Sequence, residues 1–323
     1  MSLRHPKFAF ERGLHDIGNG IYAWLQPDGG WGWSNSGLIC DSGQSLIVDT
    51  LMDAPLTQVM LNGYLDAERQ CMADIDMVVN THHNGDHCNG NSCCGDAQII
   101  SHISTKEEME KESPASMAVI IDAADEYGDL GVFIKESFGE FDLKSVEQRL
   151  PDRTFEGQLE LRVGNKDVLL KHVGPAHSAG DTLIYVPDDR VLYTGDILFI
   201  EGHPITWGGP VDNWIAACDF MLGLDVDVIV PGHGPITTKA GVRAIRDYFV
   251  HIRAEARRRF DAGMSYTEAV RQIAACDYDS WGDSERIAVN CAALYREFGS
   301  DEDLSPGVAA GLMAKLFVER RAR

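Results

Sequence analysis

The sequence predicts an α/β fold, and three observations carry that reading. Short apolar runs of the strand type, separated by turn residues, recur between positions 20 and 230. From position 239 onward, apolar residues return every three to four positions, which is helical spacing. The histidines and aspartates with the most evident chemistry fall in glycine- or proline-containing turns just past the strand-type runs. At about 150 residues per domain, 323 residues allow one large domain or two.

The elements follow in order. Residues 20–26 alternate loosely, with Ile21, Ala23 and Leu25 on one side and Tyr22 and Trp24 on the other, as in a strand. The turn cluster Pro27-Asp28-Gly29-Gly30 precedes Trp31-Gly32-Trp33. Residues 38–40 and 45–48 flank Asp41-Ser42-Gly43-Gln44 as a hairpin. Pro55 opens an amphipathic helix through Leu56, Val59, Met60 and Tyr64, ending near positions 66–70. Residues 75–80 and 97–101 read as short strands. The charged stretch 104–150, with Ser113-Pro114 at a helix start, reads as a helical insertion over one face of the core. Strands return at 159–163, 168–172, 182–186 and 191–194, and 226–230 is compact and apolar enough for a buried strand. Ile245, Phe249, Ile252, Ala256 and Phe260 mark the first C-terminal helix, in which Arg257-Arg258-Arg259 reads as a solvated face. Ser265 and Glu268 form a capping box for the second. Ile287, Cys291, Leu294 and Phe298 mark the third, and Ser305-Pro306 opens the last.

Composition bounds the function. A net charge of −22 disfavours nucleic acid and an anionic membrane as partners, because both need a basic face. A small-molecule substrate is expected instead, and the oligomeric state is left open. No apolar stretch is long enough to span a bilayer, and no signal-type apolar region accompanies Arg4, Lys7, Glu11 and Arg12. The expected location is cytoplasmic. Eight cysteines, Cys40, Cys71, Cys88, Cys93, Cys94, Cys218, Cys276 and Cys291, follow no zinc-finger or disulfide spacing and read as small buried residues of a reduced protein.

The chemistry centres on Thr81-His82-His83-Asn84-Gly85-Asp86-His87, directly after the strand at 75–80. Neutral imidazoles with a carboxylate suit zinc, iron or manganese. Three later turns each add one ligand-type side chain: His177 in Gly174-Pro175-Ala176-His177-Ser178-Ala179-Gly180-Asp181, Asp196 in Tyr193-Thr194-Gly195-Asp196, and His233 in Pro231-Gly232-His233-Gly234-Pro235. Any one of these histidines alone reads as structural; four such turns in this order do not.

This order resembles the metallo-β-lactamase superfamily, marked by T-H-x-H-x-D-H followed by H-S/T-x-G-D, T-G-D and P-G-H-G. The resemblance covers roughly residues 18 to 238, including Ser34-Asn35-Ser36-Gly37 and Val48-Asp49-Thr50. It implies a four-layer αββα sandwich with a metal centre at one edge of the two sheets. The core is then residues 1–238, with the insertion at about 104–150, and residues 239–323 form a helical extension packed on it. By position, the resemblance assigns one metal site to His82, residue 84 and His177. It assigns a second to Asp86, His87 and His233, with Asp196 bridging the two. The family's usual second histidine is Asn84 here, a weaker and uncharged donor. The adjacent His83 would point elsewhere if the turn is preserved. One tight ion is therefore expected at Asp86, His87, His233 and Asp196, and a weaker second ion at His82 and His177. Zinc is the first expectation, with iron or manganese as alternatives. Asp49 is expected to orient a ligand or the turn.

The implied chemistry is metal-assisted hydrolysis of a carboxylic ester, thioester or lactone. A bound ion lowers the pKa of its water from about 15.7 towards 7 and supplies hydroxide. Asp86 would orient or shuttle the proton. No G-x-S-x-G elbow offers a separate nucleophile. Trp31 and Trp33 are candidate substrate contacts, with ordinary hydrophobic packing as the alternative, and His203 is a candidate at the mouth. The insertion and the C-terminal helices are expected to shape the pocket, the latter resembling glyoxalase II in arrangement, although no glutathione-binding residues match. The competing classes are a mononuclear iron oxidoreductase acting on a sulfur compound and a non-catalytic metal binder.

Overall fold

The computed structural model describes residues 2–273, 278 and 280–322. Seven strands form the first sheet in chain order: β1 (Gly13–Gly18), β2 (Ile21–Leu25), β3 (Ser36–Asp41), β4 (Gln44–Val48), β5 (Met77–Asn80), β6 (Gln98–His102) and β7 (Arg153–Phe155). Pairing is antiparallel from β1 to β4 and parallel from β4 to β7. The second sheet contains β8 (Gln158–Val163), β9 (Lys166–His172), β10 (Thr182–Val186), β11 (Val191–Tyr193) and β12 (Val228–Val230), antiparallel except for β11 with β12.

Side-chain alternation stacks the layers. Ile21, Ala23 and Leu25 of β2 face inward and join Ile39, Val79 and Ile100 against Leu170, Ile184 and Val191 of the second sheet. Tyr22 and Trp24 face outward, onto Met60, Leu61 and Tyr64 of helix α1 (Ala54–Ala67). Asp53 caps α1 by accepting from the Leu56 amide, with proline in the first turn. Beyond the second sheet, Leu183, Leu192 and Ile229 meet the helices described next. The order is helix, sheet, sheet, helix, as the motifs implied.

The remaining helices are α2 (Gly85–Cys88), α3 (Ile103–Met109), α4 (Pro114–Asp122), α5 (Asp129–Phe138), α6 (Val211–Gly223), α7 (Lys239–Asp261), α8 (Tyr266–Gln272), α9 (Ile287–Glu297) and α10 (Pro306–Arg321). Helices α3 to α5 form the insertion between β6 and β7. Helix α6 was not foreseen; it buries Val211, Trp214, Ile215, Cys218 and Met221 in the cluster that also holds Val242, Ile245, Phe249 and Ile252 of α7. The arginine run in α7 is not uniformly solvated. Arg259 is buried, because it donates to the Gln272 carbonyl and pairs with Glu255, tying α7 to α8. The insertion reaches the chain's end, where Phe133 of α5 meets Phe317 of α10 edge-on at 5.2 Å and Arg321 pairs with Glu136.

Among the described residues, no helix is long and apolar enough to cross a membrane. Cys40, Cys71, Cys88, Cys94, Cys218 and Cys291 are buried free thiols and Cys93 is half-buried, while Cys276 lies outside the described residues.

Candidate metal centre

The turn after β5 is fixed from behind by Asp49. One carboxylate oxygen of Asp49 accepts from the Thr81 amide at 2.7 Å. The other accepts from the Thr81 hydroxyl at 2.7 Å and from His87 Nδ1 at 2.9 Å. Asn80 donates to the His87 carbonyl, and Ser34 donates to the Asp86 carbonyl, so the middle of α2 is held from two sides. This seats Asp86 and His87 facing the sheet edge.

The later turns are equally constrained. Asp181 accepts from the backbone amides of Ala176 and Ser178 and from the Ser178 hydroxyl, which shapes the loop bearing His177. His177 Nδ1 donates to the Ile205 carbonyl at 2.8 Å. Asn35 donates to the carbonyls of Pro231 and Gly234, clamping the turn that carries His233. Glycine is required at 232, where a Cβ would lie 2.1 Å from Asp196 Oδ1 and 2.6 Å from the Gly195 carbonyl carbon.

These turns converge on Asp196. Its Oδ1 lies 3.0 Å from His87 Nε2. Its Oδ2 lies 3.4 Å from both His177 Nε2 and His233 Nε2, and 3.7 Å from His82 Nε2. Asp86 Oδ2 is 3.3 Å from His233 Nε2 and 3.8 Å from His87 Nε2. Two groups result whose ligand-type atoms all lie within 4.8 Å of one another: His82, His177 and Asp196, and Asp86, His87 and His233. Asn84 adjoins the first group, its Oδ1 being 2.7 Å from His177 Nε2 and 3.1 Å from His82 Nε2. His83 turns away and pairs with Glu108 at 3.0 Å and Glu112 at 3.4 Å.

The donor set fits a cation. In all four histidines Nδ1 is engaged by an oxygen behind it: Thr81 Oγ1 for His82, Asp49 for His87, and the carbonyls of Ile205 and Gly29 for His177 and His233. With Nδ1 donating, each Nε2 turns a lone pair toward carboxylate oxygens. Acceptors then face acceptors, and His87 Nε2 and Asp196 Oδ1 are buried without a hydrogen-bond partner. A divalent ion would resolve that conflict; without one, burial is outweighed by the neighbouring carboxylates, which favour protons on His87 and His233 and raise both above the usual histidine range. Burial holds His82 well below the usual histidine range and His177 down to about 4, so both imidazoles are neutral, the form a metal would require. Burial also opposes charge on His233, but Asp196 and Asp86 outweigh it and raise His233 to about 9.

A cavity of about 560 Å³ opens onto this centre, lined by Trp31, Phe133, Phe138, Phe199, Ile205 and Met313 beside the ligand-type residues. Trp31 is therefore where a substrate contact was expected. Trp33 is not: it packs on Phe141 at 5.0 Å with the Arg12 guanidinium over its other side, away from the cavity. His203 does not reach the cavity either. It is fully buried, with its ring nitrogens against the Tyr248 hydroxyl and the Tyr278 carbonyl, and its own carbonyl accepts from Arg286. Its neighbours Ile205 and Trp207 do line the mouth. Arg286, Glu108 and the α5 aromatics also line it and carry no motif in the sequence.

The 2,4-dinitroanisole O-demethylase subunit alpha of Nocardioides sp. (strain JS1661) is 35% identical over 101 residues, 28% of this chain and 28% of that protein. A linear primary-alkylsulfatase of Pseudomonas sp. (strain ATCC 19151) is 27% identical over 135 residues, 38% of this chain and 25% of that protein. The matches thus span about a quarter of the length of these curated relatives. Among solved structures, the sec-alkylsulfatase Pisa1 from Pseudomonas sp. superposes with a TM-score of 0.68 at 17% identity, covering 92% of this chain and 51% of that one. A metallo-beta-lactamase from Pontibacter korlensis gives 0.55 at 14% identity, covering 73% and 98%. These likenesses show the fold. The model of the metallo-beta-lactamase superfamily matches residues 29–233, more than half of the chain and every turn described above, and the chain belongs to that superfamily.

Proposed function

We propose that this chain is a metal-dependent hydrolase acting on a small-molecule carboxylic ester, thioester or lactone. The supporting observation is the convergence of four Nδ1-anchored imidazoles on the two oxygens of Asp196. A bound divalent cation would lower the pKa of a coordinated water towards about 7 and polarise an acyl oxygen. Asp86, His87, His233 and Asp196 would hold the tighter ion, because two carboxylates share that group. His82 and His177, with the neutral Asn84 oxygen, would hold the weaker one. Zinc is the first candidate, and iron or manganese the alternatives.

The protein's own groups supply the rest. Asp86 is the most open of the carboxylates, its side chain 12% exposed against 4% for Asp196. It would take the proton of the attacking water and return it to the leaving oxygen, or sulfur in a thioester, as the acyl bond breaks, so the proton balance closes at one residue. Phe199, stacked on His233 at 4.9 Å and 5°, keeps bulk water from that imidazole. The net charge of −22 supports a small molecule in solution rather than nucleic acid or a membrane as partner, and a cytoplasmic setting fits the free thiols.

The test is metal content per chain, followed by turnover of the loaded protein on esters, thioesters and lactones. The relatives add 2,4-dinitroanisole and a primary alkyl sulfate to that panel. One tight ion, a second on supplementation and cleavage abolished by Asp196→Ala are the expected results. Loaded protein that cleaves nothing on the panel would overturn the reading.

A further inference from the structure

The walls of the cavity come from outside the metal-bearing turns. Helix α5 contributes Leu130, Phe133 and Phe138, and α10 contributes Ala310 and Met313. Trp31 forms the facing wall and is held on every side. Its Nε1 donates to the buried Glu285 at 3.1 Å, the Arg286 guanidinium lies 4.2 Å from its ring, and Phe133 and Phe138 meet it edge-on at 5.1 and 6.0 Å. A wall fixed in this way is preorganised for a ligand.

Charge along the cavity is spoken for. Arg286 is the single lysine or arginine among the described lining residues. Its Nη groups are committed to the His203 carbonyl at 2.9 Å and Asp283 at 3.0 Å, and its Nε is buried without a partner. Glu108 and Glu112, on the insertion side, are engaged with His83. Away from the candidate ligands and from Glu108 and Glu112, the cavity therefore presents mainly hydrocarbon and aromatic faces, with no lysine among the described residues of its walls and a single arginine whose two Nη groups are engaged.

We propose that this chamber binds an uncharged apolar arm, so that the substrate is an ester or lactone carrying a hydrocarbon or aryl group and not a thioester of an anionic carrier. The inference rests on the hydrolase reading for the reacting bond, but not for the chamber itself. A cavity of about 560 Å³ suits a small-molecule ligand, as binding pockets commonly run from roughly 300 to 1,000 Å³. Each buried methylene is expected to raise kcat/KM about fourfold until the chamber is full.

Two series test this. In the first, metal-loaded protein is assayed on p-nitrophenyl acetate, butyrate, hexanoate and octanoate, and on the coenzyme A thioester of hexanoate. In the second, calorimetry follows binding of 1-butanol, 1-hexanol and 1-octanol, which needs no turnover. Rising kcat/KM and alkanol affinity with chain length, and a coenzyme A thioester at least tenfold poorer than its uncharged counterpart, are expected. Phe133→Ala should flatten both series. Ala310→Phe fills the chamber from a half-buried position and should lower the octanoate-to-acetate ratio at least tenfold, even if Phe133→Ala fails to fold. Acetate turnover with no chain-length dependence, or a preferred coenzyme A thioester, would overturn the chamber inference and leave the hydrolase reading intact. Flat alkanol affinity would also overturn it. No ester turnover alongside alkanol affinity that climbs with length and falls in Ala310→Phe would sustain the chamber and count against the hydrolase.

Discussion

Replacing Asp49 with asparagine isolates how the protein sets the protonation of a candidate ligand. Asp49 has a left-handed backbone, φ +59°, which asparagine also tolerates, so the substitution leaves the main chain unstrained. The carboxylate accepts three hydrogen bonds, from the Thr81 amide, the Thr81 hydroxyl and His87 Nδ1. An asparagine oxygen can keep the first. Its NH2 then faces the Thr81 hydroxyl and His87 Nδ1, so both must turn from donating to accepting, and His87 Nδ1 must give up its proton. The proton moves to Nε2, the atom 3.0 Å from Asp196 Oδ1, and that nitrogen loses the lone pair a metal needs. Losing a partner behind a metal-binding histidine typically weakens metal affinity about 10- to 100-fold, or roughly 1.4 to 2.7 kcal/mol. The exchange of one charge-assisted bond for a neutral one costs the metal-free fold about 1–2 kcal/mol. A chelator-competition titration with zinc measures the first quantity, and thermal unfolding of metal-free protein the second. Affinity within threefold of wild type, in a protein that melts normally, would refute the argument that Asp49 fixes the His87 tautomer.

Other perturbations address the same centre and the fold around it. Asp86→Ala or His233→Ala should abolish retention of the tight ion, while His82→Ala should spare it yet impair turnover; equal metal loss in all three would sink the unequal-site reading. Asn84→His should raise metal stoichiometry on zinc supplementation, since it replaces a neutral amide donor with an imidazole. Gly232→Ala should cost both ions, because the added carbon occupies space 2.1 Å from Asp196 Oδ1, and normal metal content in that variant would contradict the packing. His102 is held down to about 4 by burial and by the His172 ring stacked at 3.7 Å. An unfolded histidine titrates near 6.5, so between about 6.5 and 4 the unfolded chain binds a proton the folded chain refuses. That contribution is present above pH 6.5 and is lost as pH falls toward 4. His102→Asn keeps an acceptor at the start of α3, and its urea midpoint should fall less between pH 7.5 and 5 than that of wild type.

What could be seen in the sequence followed from local period and from turn chemistry. The two faces of β2 were written in alternate residues, Ile21, Ala23 and Leu25 against Tyr22 and Trp24, and each set went to a different core. The four turns that carry the candidate ligands stand out because glycine, proline and asparagine fix where one side chain points. The helical spacing of Ile245, Phe249, Ile252 and Ala256 placed α7 in the same way. What escaped depended on partners distant in sequence. His203 and Trp33 sit beside site residues along the chain, yet tertiary neighbours, Tyr248 for one and Phe141 for the other, took them out of the cavity. Arg259 reads as one of three equivalent arginines until the Gln272 carbonyl singles it out. Arg286 had no local mark at all, because its place beside Trp31 depends on a contact across more than 250 residues.

The separate origin of the ligands and the walls gives this protein a modular character. Its candidate metal-holding side chains lie on turns within residues 81–87, 177, 196 and 233, whereas the chamber is walled by an insertion and by helix α10. Selectivity can therefore drift, or be engineered, while the ligand set stays constant. The insertion is not a free-standing cassette, however. Phe133 rests on Phe317 and Glu136 pairs with Arg321, so a transplanted α5 must bring its matching α10 to keep the chamber sealed.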